Sequence, residues 1–142
     1  MSRVLTRLAL AGSGTILGLI GSALLASPRA FLETSGILVD HDPGLMSELS
    51  APAGILLVTG ALMILGAVRL RFANAGLAAG VIAYGTYGAG RLVSMALHGV
   101  PSQSLIVAML VELGIAAVLA VLWMNTASRQ QPAGGRYHNI AV

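Results

Sequence analysis

Apolar residues in this chain fall into four long blocks, at 4–26, 53–70, 73–97 and 104–124, separated by short polar interruptions. Crossing the ~30 Å hydrocarbon layer takes about 20 apolar residues in helical form, so each block is expected to be a transmembrane helix. The interruptions set how the blocks join. Arg69-Leu70-Arg71-Phe72 is so short that the second and third blocks must form an antiparallel hairpin. His98-Gly99-Val100-Pro101-Ser102 makes the next turn; Gly and Pro stop one helix there, and Ser102 or Ser104 is expected to cap the following one. Only the first connection is long. Within it Asp42-Pro43 reads as an N-cap and first-turn pair, predicting a short interfacial helix over 43–50 ahead of the second span. The fold class expected is an all-α membrane protein, a four-transmembrane-helix bundle over 1–126 followed by a flexible tail over 127–142, where Pro132-Ala133-Gly134-Gly135 breaks any periodicity.

The arginines orient the bundle. Arg3 and Arg7 precede the first block, Arg69 and Arg71 join the second and third, and Arg129 and Arg136 follow the fourth, so alternation gathers all six on one side. Positive charge marks the cytoplasmic face, which puts both termini of a multi-pass membrane protein in the cytoplasm. The opposite side holds Arg29 alone in its loops, with Glu33, Asp40, Asp42 and Glu48 all in the first connection. Phe72 and Trp123 then fall at the inner interface, where aromatic belts lie.

Composition agrees with lipid as the solvent: 56% of the 142 residues are hydrophobic and 9% charged, with a mean hydropathy of +0.87. The net charge of +3 comes from arginines scattered at helix ends rather than clustered on one face, so nucleic acid is not an expected partner. Cysteine is absent, which removes disulfide and thiolate-metal chemistry. Arg3 and Arg7 ahead of an apolar run also fit a secretory signal peptide. The run is too long for an h-region, however, and no small-x-small cleavage site precedes Pro28, so a retained first helix is expected.

Leucine gains nothing by leaving lipid for another leucine, so helix association must come from close backbone approach. Gly14, Gly18 and Ser22 supply it at four-residue spacing in the first block, and Gly76 and Gly80, then Gly85 with Ala89, supply it in the third. The third block is therefore expected at the centre of the bundle, with the small-residue faces also able to serve a membrane-protein partner or a second copy.

Two ionisable residues lie within the spans proper, Arg91 and Glu112. Each would be costly alone in hydrocarbon, by about 2.5 to 3.5 kcal/mol on insertion scales, and they sit at similar depths across a tight turn, so a buried ion pair is expected. Tyr84, Tyr87, Arg91, Ser94 and His98 follow three-four spacing and draw one polar stripe, while Ser104, Ala108, Glu112 and Ala116 offer small residues opposite it. With Glu48 at the outer mouth, these residues outline an outward-facing pocket between the second, third and fourth spans. It could hold an anionic headgroup, a quinone or a small anion against the arginine. The bland alternative is an ion pair that only fixes helix register. Asp40-His41-Asp42 reads as a solvated turn and not a metal site, since adjacent residues rarely reach one ion. No cofactor motif is present, and His138 in the tail is expected to be inert.

Gly90-Arg91-Leu92-Val93-Ser94, then Gly99-Val100-Pro101, then Glu112-Leu113 resemble a bacterial family of small four-helix membrane proteins built on a domain of unknown function. The resemblance spans roughly 47–123 plus the placement of the first helix, and maps the family's Gly-Arg and later Glu onto Gly90, Arg91 and Glu112, with Glu48 as the acid before the second span. In size and layout the chain is also similar to DoxX-type membrane proteins, some of which accompany quinone-linked oxidoreductases. What the resemblance implies is an accessory or small-ligand and lipid-binding membrane subunit rather than an enzyme. The alternatives are a quinone-linked oxidoreductase component and a small transporter acting as an oligomer.

Overall fold

The computed structural model describes residues 3–40 and 42–127, and among them the secondary structure is helical throughout. Four long helices run α1 (Arg3–Ala26), α3 (Pro43–Val68), α4 (Ala73–His98) and α5 (Gln103–Ala127), with a short α2 (Pro28–Glu33) in the first connection and a single 3-10 turn, Leu70–Phe72, between α3 and α4. Three of them, α1, α3 and α5, are long and apolar enough to cross a membrane. Although α4 has 26 residues, five of these are glycines and others are Asn74, Tyr84, Thr86 and Tyr87, which dilute its hydropathy without shortening it. The tail from 128 onward, with Arg129, Arg136 and His138, lies outside the described residues, as does His41.

The start of α3 departs from the sequence reading. The short helix expected over 43–50 and the span expected from 53 are one continuous helix that begins at Pro43. Asp42 begins it, its Oδ1 accepting from the Leu45 N–H at 2.8 Å, and Pro43 occupies the first turn, where its missing N–H costs nothing. Pro52 lies inside this helix. Proline has no N–H to offer the carbonyl four residues back, so the Glu48 carbonyl loses its regular helical donor. At the other end of the bundle α4 stops at Gly99, whose φ of +93° is open to a residue without a Cβ. Ser102 opens α5 through its backbone carbonyl, which accepts from Leu105 and Ile106. Its hydroxyl goes elsewhere, donating to the Ser35 carbonyl at 3.1 Å and so tying the 99–102 turn to the first connection.

Packing is most extensive between α1 and α3, then between α4 and α5, with α3 against α4 joining the two pairs. The centre is thus shared by α3 and α4, where the sequence had suggested α4 alone. The tightest approach of backbone to backbone is made by Gly60: a Cβ there would stand 2.7 Å from the Gly14 carbonyl oxygen and 3.0 Å from the Gly18 nitrogen. Gly76 lies against Leu62, Met63 and Leu10, and Gly80 against Met63 and Leu119. Gly85 and Ala89, in contrast, do not make a close crossing; Gly88, one turn from Gly85, takes that place against Leu113. Leu10, Met63, Leu77, Leu119 and Leu122 form the fully buried core between these crossings.

The tight end of the bundle carries an arginine bond that the topology rule does not foresee. Arg7 Nε donates to the Ala67 carbonyl at 2.7 Å, and its terminal nitrogen donates to the Val68 carbonyl at 3.2 Å. The last carbonyls of α3, which have no partner within the helix, are satisfied by a side chain of α1. Nearby, the Arg71 guanidinium stacks 4.6 Å from the centre of the Phe72 ring.

Candidate functional site

The site is built at the opposite end, where α1 ends, α3 begins, α4 ends and α5 begins. Three- and four-residue spacing on α4 puts Tyr84, Tyr87 and Arg91 on the side turned toward α1, α3 and α5. The arginine meets α5: its Nε lies 3.0 Å from Glu112 Oε2, and its terminal nitrogen lies 3.3 Å from Oε1. The two groups are joined as a fork, with two parallel charge-assisted bonds. The Arg91 side chain retains 33% of its accessibility and the Glu112 side chain 17%, so the pair forms part of a wall rather than a sealed core.

That wall bounds a cavity of about 410 Å³, within the range of roughly 300–1,000 Å³ typical of small-molecule sites. Its polar lining consists of Ser35, Glu48, Tyr84, Tyr87, Arg91 and Glu112. The rest is aliphatic and aromatic, with Leu17 from α1, Phe31 from α2, Leu56 from α3 and Ile115 from α5. The pocket anticipated between the second, third and fourth spans is therefore wider in origin: α1, α2 and the 35–37 segment supply one side of it. Phe31 and Ser35 carry no periodic signal in the sequence, because the six-residue α2 that holds Phe31 and the turn that holds Ser35 are too short for a face assignment.

The polar stripe of α4 divides. Tyr84 is 3% exposed, and its hydroxyl donates to the Ser13 carbonyl of α1 at 2.7 Å, so its polar end is committed to holding two helices together. Tyr87, with no such bond, and Arg91 face the cavity. Ser94 does not reach it. Three residues past Arg91 the helix has turned to leave Ser94 about 60° off that face, in a shallow groove with Thr86, Tyr87, Gly90 and the other side of Arg91. His98 does not reach it either. It lies two turns beyond Arg91, exposed, with Nδ1 3.2 Å from the Ser94 carbonyl. On α5, Ala108 and Glu112 line the cavity, Ser104 bonds with Ser102 at 3.0 Å, and Ala116 is buried in the core. Among the described residues no group of three or more His, Asp or Glu is placed to hold a metal ion.

Fold and site together define a class: among the described residues, an all-helical chain with three helices long and apolar enough to cross a membrane, wrapped around an amphipathic void that an ion pair borders. The chain belongs to the family described as Domain of unknown function (DUF4345), whose model matches residues 5–124. The match takes in nearly the whole of the four long helices and both sides of the cavity. No curated protein and no solved structure matches the chain.

Proposed function

We propose that this protein is a non-enzymatic, multi-pass membrane subunit that holds a small amphipathic ligand in the cavity beside Arg91 and Glu112. The observation that carries the reading is the combination of a void of about 410 Å³, mostly apolar in lining, with a forked ion pair in its wall. An ion pair needed only for helix register would be packed on all sides, since lining a void forfeits contacts. The surrounding design is a four-span bundle of α1, α3, α4 and α5 with both termini cytoplasmic, in a bacterial inner membrane. Support for α4 as the fourth span comes from its length, ~39 Å at 1.5 Å per residue, and from its place between α3 and α5. Support for the orientation comes from Arg3, Arg7, Arg69 and Arg71 at the tight end, against acids at the other.

Native mass spectrometry of the full chain released from membranes tests the binding reading. A small molecule should accompany the wild-type protein and be lost in Ala108→Trp, whose indole would fill the cavity. A ligand retained undiminished by the filled cavity, or none in either form, refutes it.

A further inference from the structure

Resting on that reading, the charges around the cavity narrow the ligand's chemistry. Arg91 is the single cationic side chain in the lining, and both of its engaged nitrogens are already held by Glu112. Glu48 is the second carboxylate of the lining and has no cationic partner among the described residues. The walls thus carry one guanidinium against two carboxylates. The same imbalance extends outward. Among the described residues the acids Glu33, Asp40, Asp42, Glu48 and Glu112 all lie toward this end of the bundle, with Arg29 and Arg91 the only described arginines there. Arg29 is itself bound to Glu33 at 2.8 Å. An anionic head would meet this negative field before it reached the arginine, and would find there a guanidinium whose charge Glu112 already balances.

A positive head would meet the opposite. Glu48 offers an unpaired carboxylate at the cavity, and Pro52, also in the lining, leaves the Glu48 carbonyl without its regular helical donor, a second acceptor on the same residue. Phe31, Tyr84 and Tyr87 contribute three aromatic rings to the walls, and ring faces attract ammonium and quaternary ammonium groups. We infer that the cavity binds a lipophilic cation, an amine or quaternary ammonium on an apolar body, with the positive charge at Glu48 and the body between Leu17, Leu56 and Ile115.

The test uses three probes with the same ten-carbon chain, decyltrimethylammonium, decanol and decyl sulfate, titrated below micelle formation into the full-length protein in zwitterionic nanodiscs, with empty nanodiscs subtracted. The cation should bind at least ~10-fold more tightly than the alcohol, a gap of about 1.4 kcal/mol, and the sulfate most weakly. In Glu48→Gln the cation's advantage should collapse while the alcohol's affinity holds, which shows that the cavity is intact. Equal binding of all three heads, or preference for the alcohol or the sulfate, overturns the cation assignment but leaves the cavity reading standing, provided Ala108→Trp blocks binding. If no probe binds, or Ala108→Trp blocks nothing, the cavity reading fails and the assignment with it.

Discussion

Gly60 of α3 meets Gly14 of α1 so closely that a Cβ on Gly60 would stand 2.7 Å from the Gly14 carbonyl oxygen, with backbone, not a flexible side chain, as the obstacle. Backbone cannot rotate away, so the two helices would have to separate. Gly60→Ala is expected to destabilise the bundle by about 1–3 kcal/mol, the usual cost of overpacking. Gly12→Ala and Gly54→Ala, on the same helices but with open space where the methyl would go, should be neutral or gain up to about 1 kcal/mol of helix propensity. Denaturant unfolding in detergent compares them; equal effects at all three sites would show that the crossing is not close.

The Arg91 and Glu112 pair predicts coupled losses. Either Arg91→Ala or Glu112→Gln should cost about 1.5–3 kcal/mol, the range for hydrogen bonds to charged groups, and not the larger penalty of a sealed pair, because both side chains keep some exposure. Exchanging the two residues should recover part of the loss. Additive single effects in the double variant would mean that the side chains do not interact.

Tyr84→Phe isolates one bond. It removes the donor to the Ser13 carbonyl and leaves the ring in place, so stability should fall by about 0.5–1.5 kcal/mol. Probe binding in the cavity should be unchanged, since that hydroxyl is already engaged with α1. A binding loss without a stability loss would reverse the roles given to Tyr84 and Tyr87.

Arg7 has two separable jobs. Arg7→Gln should loosen the end of α3 by about 1 kcal/mol through loss of its bonds to the Ala67 and Val68 carbonyls. Topology should survive, because Arg3, Arg69 and Arg71 remain at that end. Reporter fusions at Ser102 and within 34–40 should read periplasmic, and fusions after Arg71 or at the C-terminus cytoplasmic. A periplasmic C-terminus would overturn the four-span orientation.

The long helices are legible because their signal is redundant: the apolar run predicts α4 over 73–97, and the helix ends one residue later, at His98. The proximity of Arg91 and Glu112 was legible for a different reason, since a short turn leaves two opposite charges of similar depth few alternatives. Gly60 was missed because spacing within one helix exposes a small-residue stripe only when several members repeat, and α3 contributes a single glycine that fits between Gly14 and Gly18. The start of α3 was misjudged because Glu48 and Pro52 look like interruptions of a span, whereas Asp42 and Pro43 supply a start strong enough to carry the helix through them. The stripe from Tyr84 to His98 reads as one face in the sequence, but Ser94 turns about 60° away from Arg91 and His98 lies exposed two turns beyond it.

The division of the bundle into an α1–α3 pair and an α4–α5 pair bears on its biogenesis. The residues of the first pair leave the ribosome first, and their crossing at Gly14 and Gly60 and the Arg7 clasp on Ala67 and Val68 need nothing from the second. The cavity has no such independence: Glu48, Leu17 and Leu56 come from one pair, Tyr87, Arg91 and Glu112 from the other. The complete cavity is therefore a property of the assembled bundle, formed only when the α4–α5 pair docks on the α1–α3 pair. A chain stalled or cleaved within the 69–72 link would hold one helix pair and half a site.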